Sequence, residues 1–390
     1  MEEIEIAIVG GGPAGLRAAE VAADAGCSAT VFDGKPSVGR KFLVAGKGGL
    51  NITHGEAFDS FVSRYSGGDF WKEMIEDFSP VDLRDWCHGL GQETFQASSG
   101  RVYPKSLKGA PVLRAWLARL KSLGVEFRPR HLWTDLLPGN ILRFSNGSEV
   151  RAKAIIFALG GGSWMKTGSD GAWLEIFRTL GIDCTPLVSA NCGWECDWPP
   201  GVIACGGMPL KNIRVSVGKN EILGELMVTR YGLEGGSIYA LGGALRAMET
   251  PALTIDFKPT FSCEELVSKL AGMNVNNWEQ IRKRLKLSSP ASAILSRKVY
   301  ADCEQLVGEV KNCRIDLIRP RPIDEAISSA GGVKWNELDS HLMLKKLPGV
   351  FVCGEMIDWD APTGGYLLQA AFATGTRAGS SAAQHLKGWP

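Results

Sequence analysis

The apolar residues of this chain fall into short runs punctuated by glycine. Ile6-Ala7-Ile8-Val9 is a continuous apolar run, the pattern of a strand buried on both faces. Gly10-Gly11-Gly12 interrupts it. An alanine-rich stretch from Pro13 to about Ala25 then reads as a helix, with Gly26 as its stop. Thr30-Val31-Phe32-Asp33 is a second strand ending in an acid. Val38 to Asn51 is rich in Gly and Lys and is expected to be an extended loop. Helices are expected around Phe70 to Phe78 and Val81 to Leu90. In Ala110 to Leu123, Val112, Leu113, Trp116, Leu117 and Leu120 recur at helical spacing ahead of Gly124. Val125-Glu126-Phe127 and Leu132-Trp133 predict the start of an antiparallel ribbon. Ile141 to Phe144, the turn Ser145-Asn146-Gly147-Ser148 and Glu149 to Ala152 predict a hairpin. Ala154 to Leu159 is a second continuous apolar run, expected as a central parallel strand, and Gly168 to Leu180 as a helix.

From about Pro186 the texture changes. Pro, Gly and Cys become frequent, and short strand patterns replace the strand–helix alternation at Ile213 to Val217, Ile222-Leu223, Glu225 to Val228 and Leu253 to Phe257. Residues 261–312 read as helical, with Asn277 capping one helix and Ser289-Pro290 opening the next. After Pro322 the first texture returns, with a strand at Val350 to Cys353 and a helix from about Leu367 to Leu386. The expectation is an α/β, Rossmann-like domain built from residues 1–187 and 325–390, interrupted by a β-rich insert over residues 188–324.

Composition adds little to this. The chain has 390 residues, is 45% hydrophobic and 22% charged, and carries a net charge of +1. Bulk charge therefore gives no reason to expect nucleic acid or a membrane surface as partner. The basic run Ile281 to Lys286 fits the solvated side of a helix. No stretch approaches the roughly 18 apolar residues of a membrane span, and no signal-peptide pattern is found. A cytoplasmic protein with a small-molecule substrate is expected. Ten scattered cysteines suit free thiols. Cys192 and Cys196 have metal-like spacing but lack a neighbouring His or a second tight pair, so no metal is expected.

The glycine turn carries the first chemistry. Gly10, Gly12 and Gly15 form G-x-G-x-x-G between a strand and a helix, and Asp33 stands where an acid would meet a ribose. The first helical N–H groups are unpaired and the helix dipole is positive there, so a pyrophosphate is stabilised. Pro13 has no N–H to leave unpaired. This implies an adenine dinucleotide without choosing among NAD, NADP and FAD.

The C-terminal return makes that choice. Gly354-Glu355 follows a strand, Asp358 lies just beyond, and Gly364-Gly365-Tyr366-Leu367-Leu368 opens a long helix. In flavoproteins with one Rossmann domain, the strand-end acid meets the ribityl chain or pyrophosphate. The late helix points its N-terminus at the flavin pyrimidine, where its dipole stabilises the reduced anion by up to ~2 kcal/mol. FAD is therefore expected, bound non-covalently; nothing in the spacing at His54 suggests a covalent link. No second complete G-x-G-x-x-G is found, so NAD(P)H, if used, would dock transiently.

Three segments resemble the BaiN/YhiN-like family of NAD(P)/FAD-dependent oxidoreductases, which includes aminoacetone-oxidase-like and bile-acid-reductase-like members. They are Gly39-Arg40-Lys41-Phe42-Leu43 through Gly46-Lys47-Gly48-Gly49-Leu50-Asn51, Ala158-Leu159-Gly160-Gly161-Gly162-Ser163-Trp164, and Pro362 to Tyr366 with its helix. The resemblance implies an FAD domain interrupted by a β-barrel-like insert with a small helical unit. The chain departs from the pattern where many members read Gly-Gly-Gly-Arg-Cys-Asn: Gly49 replaces the Arg and Leu50 the Cys. Leu367 stands where Asn is common. It therefore resembles a divergent branch.

Within these segments Arg40 and Lys41 are expected near the FAD phosphates or ribityl chain, and Gly46, Gly48, Gly49 and Asn51 close to the flavin. The expected cradle also takes in Ala14, Gly34, Leu132, Ala158, Gly160 and Gly161. Trp164 would stack near the flavin or wall the pocket. Lys47 is a candidate to hold an anionic substrate or the charge of reduced flavin. Thr229-Arg230-Tyr231-Gly232 resembles the family's Thr-His-x-Gly segment, which makes Tyr231 a candidate proton donor. The implied activity passes hydride between a small organic substrate and flavin N5, with NAD(P)H or O2 as the other redox partner. A tRNA-modifying flavoprotein and a non-catalytic flavin sensor remain as alternatives.

Overall fold

The structure, a computed structural model, describes residues 1–46 and 48–388. Lys47 lies outside them. The chain divides into two units, one made of Met1–Val188 with Ser328–Pro390 and the other of Ser189–Ile327.

The first unit is built on a seven-stranded sheet. Its parallel centre runs Glu126–Pro129, Ala29–Asp33, Glu2–Val9, Glu149–Phe157, Val350–Val352. The continuous apolar runs supply the middle strands: Ile6, Ile8, Val31, Ile155, Ile156 and Phe351 are fully buried. Strand Glu149–Phe157 carries two partners along one edge. Its start pairs antiparallel with Ile141–Phe144, completing the expected hairpin, and its end pairs parallel with Val350–Val352.

The fingerprint helix Pro13–Asp24 packs beneath the C-terminal helix Tyr366–Lys387. Glycines set that crossing. A Cβ at Gly375 would lie 2.4 Å from the Ala14 carbonyl oxygen, and one at Gly379 2.5 Å from that of Ala18. Both residue pairs ascend together, so the helices run parallel with backbones in near contact.

Three local expectations are corrected. Residues Val125–Phe127 do not start the antiparallel ribbon; Glu126–Pro129 pairs parallel with Ala29–Asp33. Val125-Glu126-Phe127 is too short a pattern to reveal its partner. Arg40–Ala45 forms a short helix inside the expected loop, bounded by Gly39 and Gly46. The expected helix at Gly168 starts only at Trp173, because Gly168 and Gly171 have φ values of +105° and +71°.

The second unit has its own core and a six-stranded antiparallel sheet. The order is Trp194–Glu195, Gly232–Glu234, Asn220–Val228, Pro209–Val217, Ala252–Asp256, Cys313–Asp316. The chain beyond the last strand returns to the first. Ile318 N–H donates to Glu195 O at 2.8 Å and Glu195 N–H to Arg319 O at 2.9 Å, and a bridge links Trp194 to Pro320. These bonds close the sheet into the barrel expected of the insert. Four helices at Cys263–Leu270, Trp278–Leu285, Ser289–Leu295 and Cys303–Lys311 form the helical part. Asn277 caps Trp278–Leu285 as expected, accepting from Gln280 N–H at 3.3 Å.

No described helix is long and apolar enough to cross a membrane. The ten cysteines are free, and no cluster of potential metal ligands occurs among the described residues.

Candidate functional site

The candidate site begins at the carboxyl ends of the central strands, where open α/β sheets place ligands. Gly10 has φ +114°, and a Cβ there would lie 2.2 Å from the Ala158 carbonyl oxygen. A Cβ at Gly15 would lie 2.0 Å from Gly10 O and 3.1 Å from Ile8 Cγ2. Both positions therefore admit only glycine, which lets the helix descend onto the strand. Gly12 differs: a Cβ there would face open space, with no atom within 4 Å. Pro13 is the first helical residue, and Ala14 is buried below Gly354, whose Cβ would come within 2.8 Å of it.

Asp33 ends its strand beside this turn. Its Oδ2 accepts from Gly11 N–H at 3.0 Å and its Oδ1 from Lys35 N–H at 2.7 Å. Burial raises the carboxyl's pKa, partly offset by those two N–H groups. A Cβ at Gly34 would touch Leu132 at 3.0 Å, and His131 N–H donates to Asp33 O at 2.9 Å. Leu132, half exposed, thus borders the Asp33 end of the sheet.

A second cluster joins two of the family-like segments to Glu355 at the end of the last parallel strand. Lys41 Nζ pairs with Glu355 Oε2 at 2.5 Å and donates to Ser163 Oγ at 3.0 Å. The other carboxylate oxygen of Glu355 accepts from Ser329 N–H at 2.9 Å. A Cβ at Gly161 would collide with Ser329 Oγ at 1.8 Å. Gly160 has φ +76° and its carbonyl accepts from Trp173 Nε1 at 2.8 Å. Trp164 is partly exposed, with φ +65°. Arg40 is exposed and reaches Ser37 Oγ at 3.4 Å. Asp358 accepts from Thr185 Oγ1 at 2.5 Å.

The third cluster surrounds the start of the C-terminal helix. Gly364 and Gly365 have φ values of +128° and +102°, and a Cβ at Gly365 would lie 2.5 Å from Thr53 Cα. Leu367 and Leu368 follow in the first turn, partly buried. Asn51 Nδ2 donates to Thr53 O at 2.8 Å and Val102 O at 3.0 Å. Asn51 Oδ1 and Thr53 Oγ1 are buried with no hydrogen-bond partner among the described residues. A Cβ at Gly46 would lie 2.8 Å from Gly109 N, one at Gly49 3.5 Å from the Tyr103 ring, and one at Gly48 would touch nothing within 4 Å.

Tyr366 anchors this cluster. Its hydroxyl donates to Glu56 Oε1 at 2.5 Å, its carbonyl accepts from Tyr65 Oη at 2.9 Å, and its ring stacks on His54 at 5.4 Å. Arg64 holds Glu56 through Nε at 3.1 Å and Nη2 at 2.8 Å. Burial and Glu56 push the Tyr366 phenol up in pKa. Sequence reasoning missed Ser163, Ser329, Glu56, Arg64 and Tyr65. The glycines flanking Ser163 and following Ser329 were the available signal; for Glu56 none existed.

Two helix N-termini are left open here. The fingerprint helix starts at Gly12 and the C-terminal helix at Gly365, with no side-chain cap and no acid in the first turn of either. Of the other described helices, five are capped by the side chains of Ser79, Ser262, Asn277, Ser288 and Asp302, while others, Arg40–Ala45 and Gly109–Ser122 among them, are uncapped too. Unpaired N–H groups and positive dipole ends attract anionic or electron-rich ligand groups. With the Gly12 space and the unpaired Asn51 oxygen, these residues fit a dinucleotide carrying an electron-rich ring.

In the insert, the Tyr231 hydroxyl donates to Glu234, and Arg321 lies over the ring at 4.4 Å. Burial and Glu234 push this phenol's pKa up.

The family model for the HI0933-like protein Rossmann domain matches residues 4–381. The chain belongs to this family. The family model describes a Rossmann domain, which the parallel sheet and its glycine turn supply. It is 27% identical to the 3-dehydro-bile acid delta(4,6)-reductase of Clostridium scindens, over 97% of this chain and 99% of that protein. It is 21% identical to the ribosomal RNA dihydrouridine synthase of Escherichia coli, covering 96% of each. Among solved structures it resembles the 3-ketosteroid-delta4-(5alpha)-dehydrogenase of Rhodococcus jostii. That match has a TM-score of 0.53 and 16% identity over 98% of this chain and 97% of the other. This last likeness concerns the fold.

Proposed function

We propose that this HI0933-like protein reduces a carbon–carbon double bond conjugated to a carbonyl in a small organic substrate. It would use non-covalent FAD, with NAD(P)H docking transiently to supply the electrons. The observation that carries the proposal is the pair of open helix N-termini in one unit. The helices run parallel with Gly375 level with Ala14. At ~1.5 Å of rise per residue, the C-terminal helix therefore starts roughly 12 Å beyond the fingerprint helix. Such a stagger suits a ligand with an anionic centre and a second electron-rich end. The substrate class draws on two relatives. The names of the bile-acid reductase and the dihydrouridine synthase both describe hydrogen added across a double bond conjugated to a carbonyl.

Bound FAD supplies hydride transfer at N5. The turn from Gly10 to Gly15 and the following N–H groups hold the pyrophosphate. Asp33 takes a ribose hydroxyl on its remaining lone pairs, with Gly34 and Leu132 bordering the adenosine. Lys41, oriented by Glu355 and Ser163, and Arg40 flank the phosphate and ribityl region. Gly160, Gly161, Trp164, Gly354 and Asp358 complete that side. Gly364, Gly365 and the first turn through Leu368 face the flavin, and Gly46, Gly48, Gly49 and Asn51 approach it from the other segment. Tyr231 keeps a proton at its phenol oxygen above neutral pH and is proposed as a proton donor. Lys47 is proposed to hold the substrate's developing negative charge. The ten free cysteines fit a cytoplasmic setting.

Uracil in RNA is the second reading, because it offers the same conjugated double bond and the Escherichia coli relative is named for it. The net charge of +1 favours the small molecule.

The test is anaerobic mixing of purified holoenzyme with NADPH and with NADH, followed by a steroid dienone. Bleaching of the flavin band by either nucleotide and its return on adding dienone are expected. No bleaching by either removes the reductase. Return only with O2 makes the protein an oxidase, and return only with RNA selects the second reading.

A further inference from the structure

The insert contains a cleft of about 890 Å³ that the oxidoreductase reading leaves unused. It lies between strands Pro209–Val217 and Asn220–Val228, the turn 257–261, and the segment joining helices Trp278–Leu285 and Ser289–Leu295. Its volume falls within the ~300–1,000 Å³ of small-molecule sites. The floor is apolar: Leu210, Ile213, Phe257 and Leu287 line it, and all are buried.

The rim is cationic. Lys211, Lys258 and Lys286 line the cleft, with Glu225 as the one acidic lining residue among those described. None of the three lysines has a carboxylate partner among the described residues. Local structure aims each of them. Lys211 sits in a bulge, where the register with the neighbouring strand shifts between Leu210 and Ile213 and Asn212 adopts φ +53°. Bulges redirect side chains in this way. Lys286 ends its helix at φ +48°. Lys258 Nζ donates to Lys286 O at 3.0 Å, which leaves two of its three protons unassigned.

The turn bearing Lys258 is fixed from behind. Lys311 Nζ donates to Lys258 O at 2.9 Å and Phe261 O at 2.8 Å and pairs with Asp256 at 2.7 Å. That pair neutralises itself, so Asp256 does not compensate the rim. Like charges that line one cleft repel one another, and an anion bound between them would relieve this. Burial and the Lys286 charge lower the Lys258 pKa accordingly.

We propose that this cleft binds a small anion with a flat apolar body, the headgroup being a phosphate ester or a carboxylate. The apolar body packs on Leu210, Ile213, Phe257 and Leu287. The headgroup meets Lys258 and Lys286, with Lys211 on the neighbouring strand at the rim. Its lining residues belong to the second unit's chain, whereas the dinucleotide turn belongs to the first unit's.

The test uses FAD-saturated holoenzyme and calorimetric titration with 2-naphthyl phosphate, 2-naphthoate, neutral 2-naphthol and inorganic phosphate. Both aromatic anions are expected to bind at least tenfold more tightly than naphthol or phosphate alone. The tighter of the two names the headgroup. Lys258→Ala with Lys286→Ala should weaken the anions at least tenfold while the FAD content stays unchanged. Lys211→Glu, at an exposed position, supplies a variant that does not disturb the fold and should weaken them several-fold. Equal affinity for naphthol, unchanged anion binding in folded variants, or binding of polymeric RNA without binding of naphthyl phosphate would each overturn the proposal.

Discussion

At the scale of single residues, the fingerprint helix hides a carboxylate that has nothing to do with the cofactor. Glu20 is fully buried, yet four donors surround it. Trp86 Nε1 and Trp116 Nε1 reach Oε2 at 2.9 and 3.1 Å, Arg17 Nη1 lies at 3.0 Å, and Arg119 Nε reaches Oε1 at 3.0 Å. Removing the acceptor leaves two indole N–H groups and the Arg17 guanidinium without their partner. Breaking a buried pair from one side costs about 3–5 kcal/mol. Glu20→Ala should lower the unfolding free energy read from urea titration by that amount, and Glu20→Gln should fail to restore it, since its amide nitrogen would point a donor at donors. A Glu20→Ala midpoint within error of the wild type would refute the account. Glu56 gives a prediction with a pH sign. Burial raises its pKa, but hydrogen bonds from Arg64 and Tyr366 outweigh this and hold it below the usual 4.5. The folded state thus binds this proton more weakly than the unfolded chain, so Glu56 stabilises above pH 4.5 and the benefit fades as pH falls below it. The stability gap between wild type and Glu56→Gln should be open at pH 7 and close in acid. A gap that widens in acid would contradict the Arg64–Glu56–Tyr366 arrangement.

At the scale of elements, glycines with different surroundings predict opposite outcomes for one substitution. Alanine gains up to about 1 kcal/mol over glycine inside a helix. In helix Cys303–Lys311, Gly308 is exposed and a Cβ would meet nothing within 4 Å. Gly308→Ala should raise stability by about 0.5–1 kcal/mol. At Gly379 the same methyl group would press on the Ala18 carbonyl at 2.5 Å, where backbone must move. Overpacking costs about 1–3 kcal/mol, so Gly379→Ala should destabilise despite its better propensity. Denaturant midpoints of the two variants decide this; a shift of the same sign in both removes the proposed helix contact. Legibility in the sequence follows the same division between local and distant causes. The buried end of strand Glu2–Val9, residues 6–9, and both long helices were readable because run length, proline and glycine stops are local signals. The helix Arg40–Ala45 was not, since six residues between two glycines carry too little periodicity. Nor was the partner of Glu126–Pro129, because a short edge strand is selected by tertiary pairing. In the candidate site the glycines were visible. The side chains that Lys41 meets were not: Glu355 lies 314 positions away and Ser163 122.

At the scale of the molecule, the decisive fact is that the two units each bury a core of their own. One contains the parallel sheet with its two long helices; the other packs strand residues Val215 and Ile255 in one core with the helical Leu266 and Val307. Every residue assigned to the dinucleotide, from Gly10 to Leu368, belongs to the first unit's chain segments. A ligand that binds the native state of one cooperative unit stabilises that unit by mass action, by about 2.7 kcal/mol at a hundredfold excess over Kd. Two cores in sequence-continuous and sequence-discontinuous units need not melt together. Heating the protein with increasing FAD should therefore resolve two transitions, of which one climbs with FAD while the other stays where it is in the apoprotein. Naphthyl phosphate should act on the other transition, because Lys258, Lys286 and Lys211 all belong to the barrel unit. Calorimetry measures both at once. A single transition that rises with either ligand would mean that the cores unfold as one, and the separation of cofactor and insert argued from their residues would not extend to their energetics.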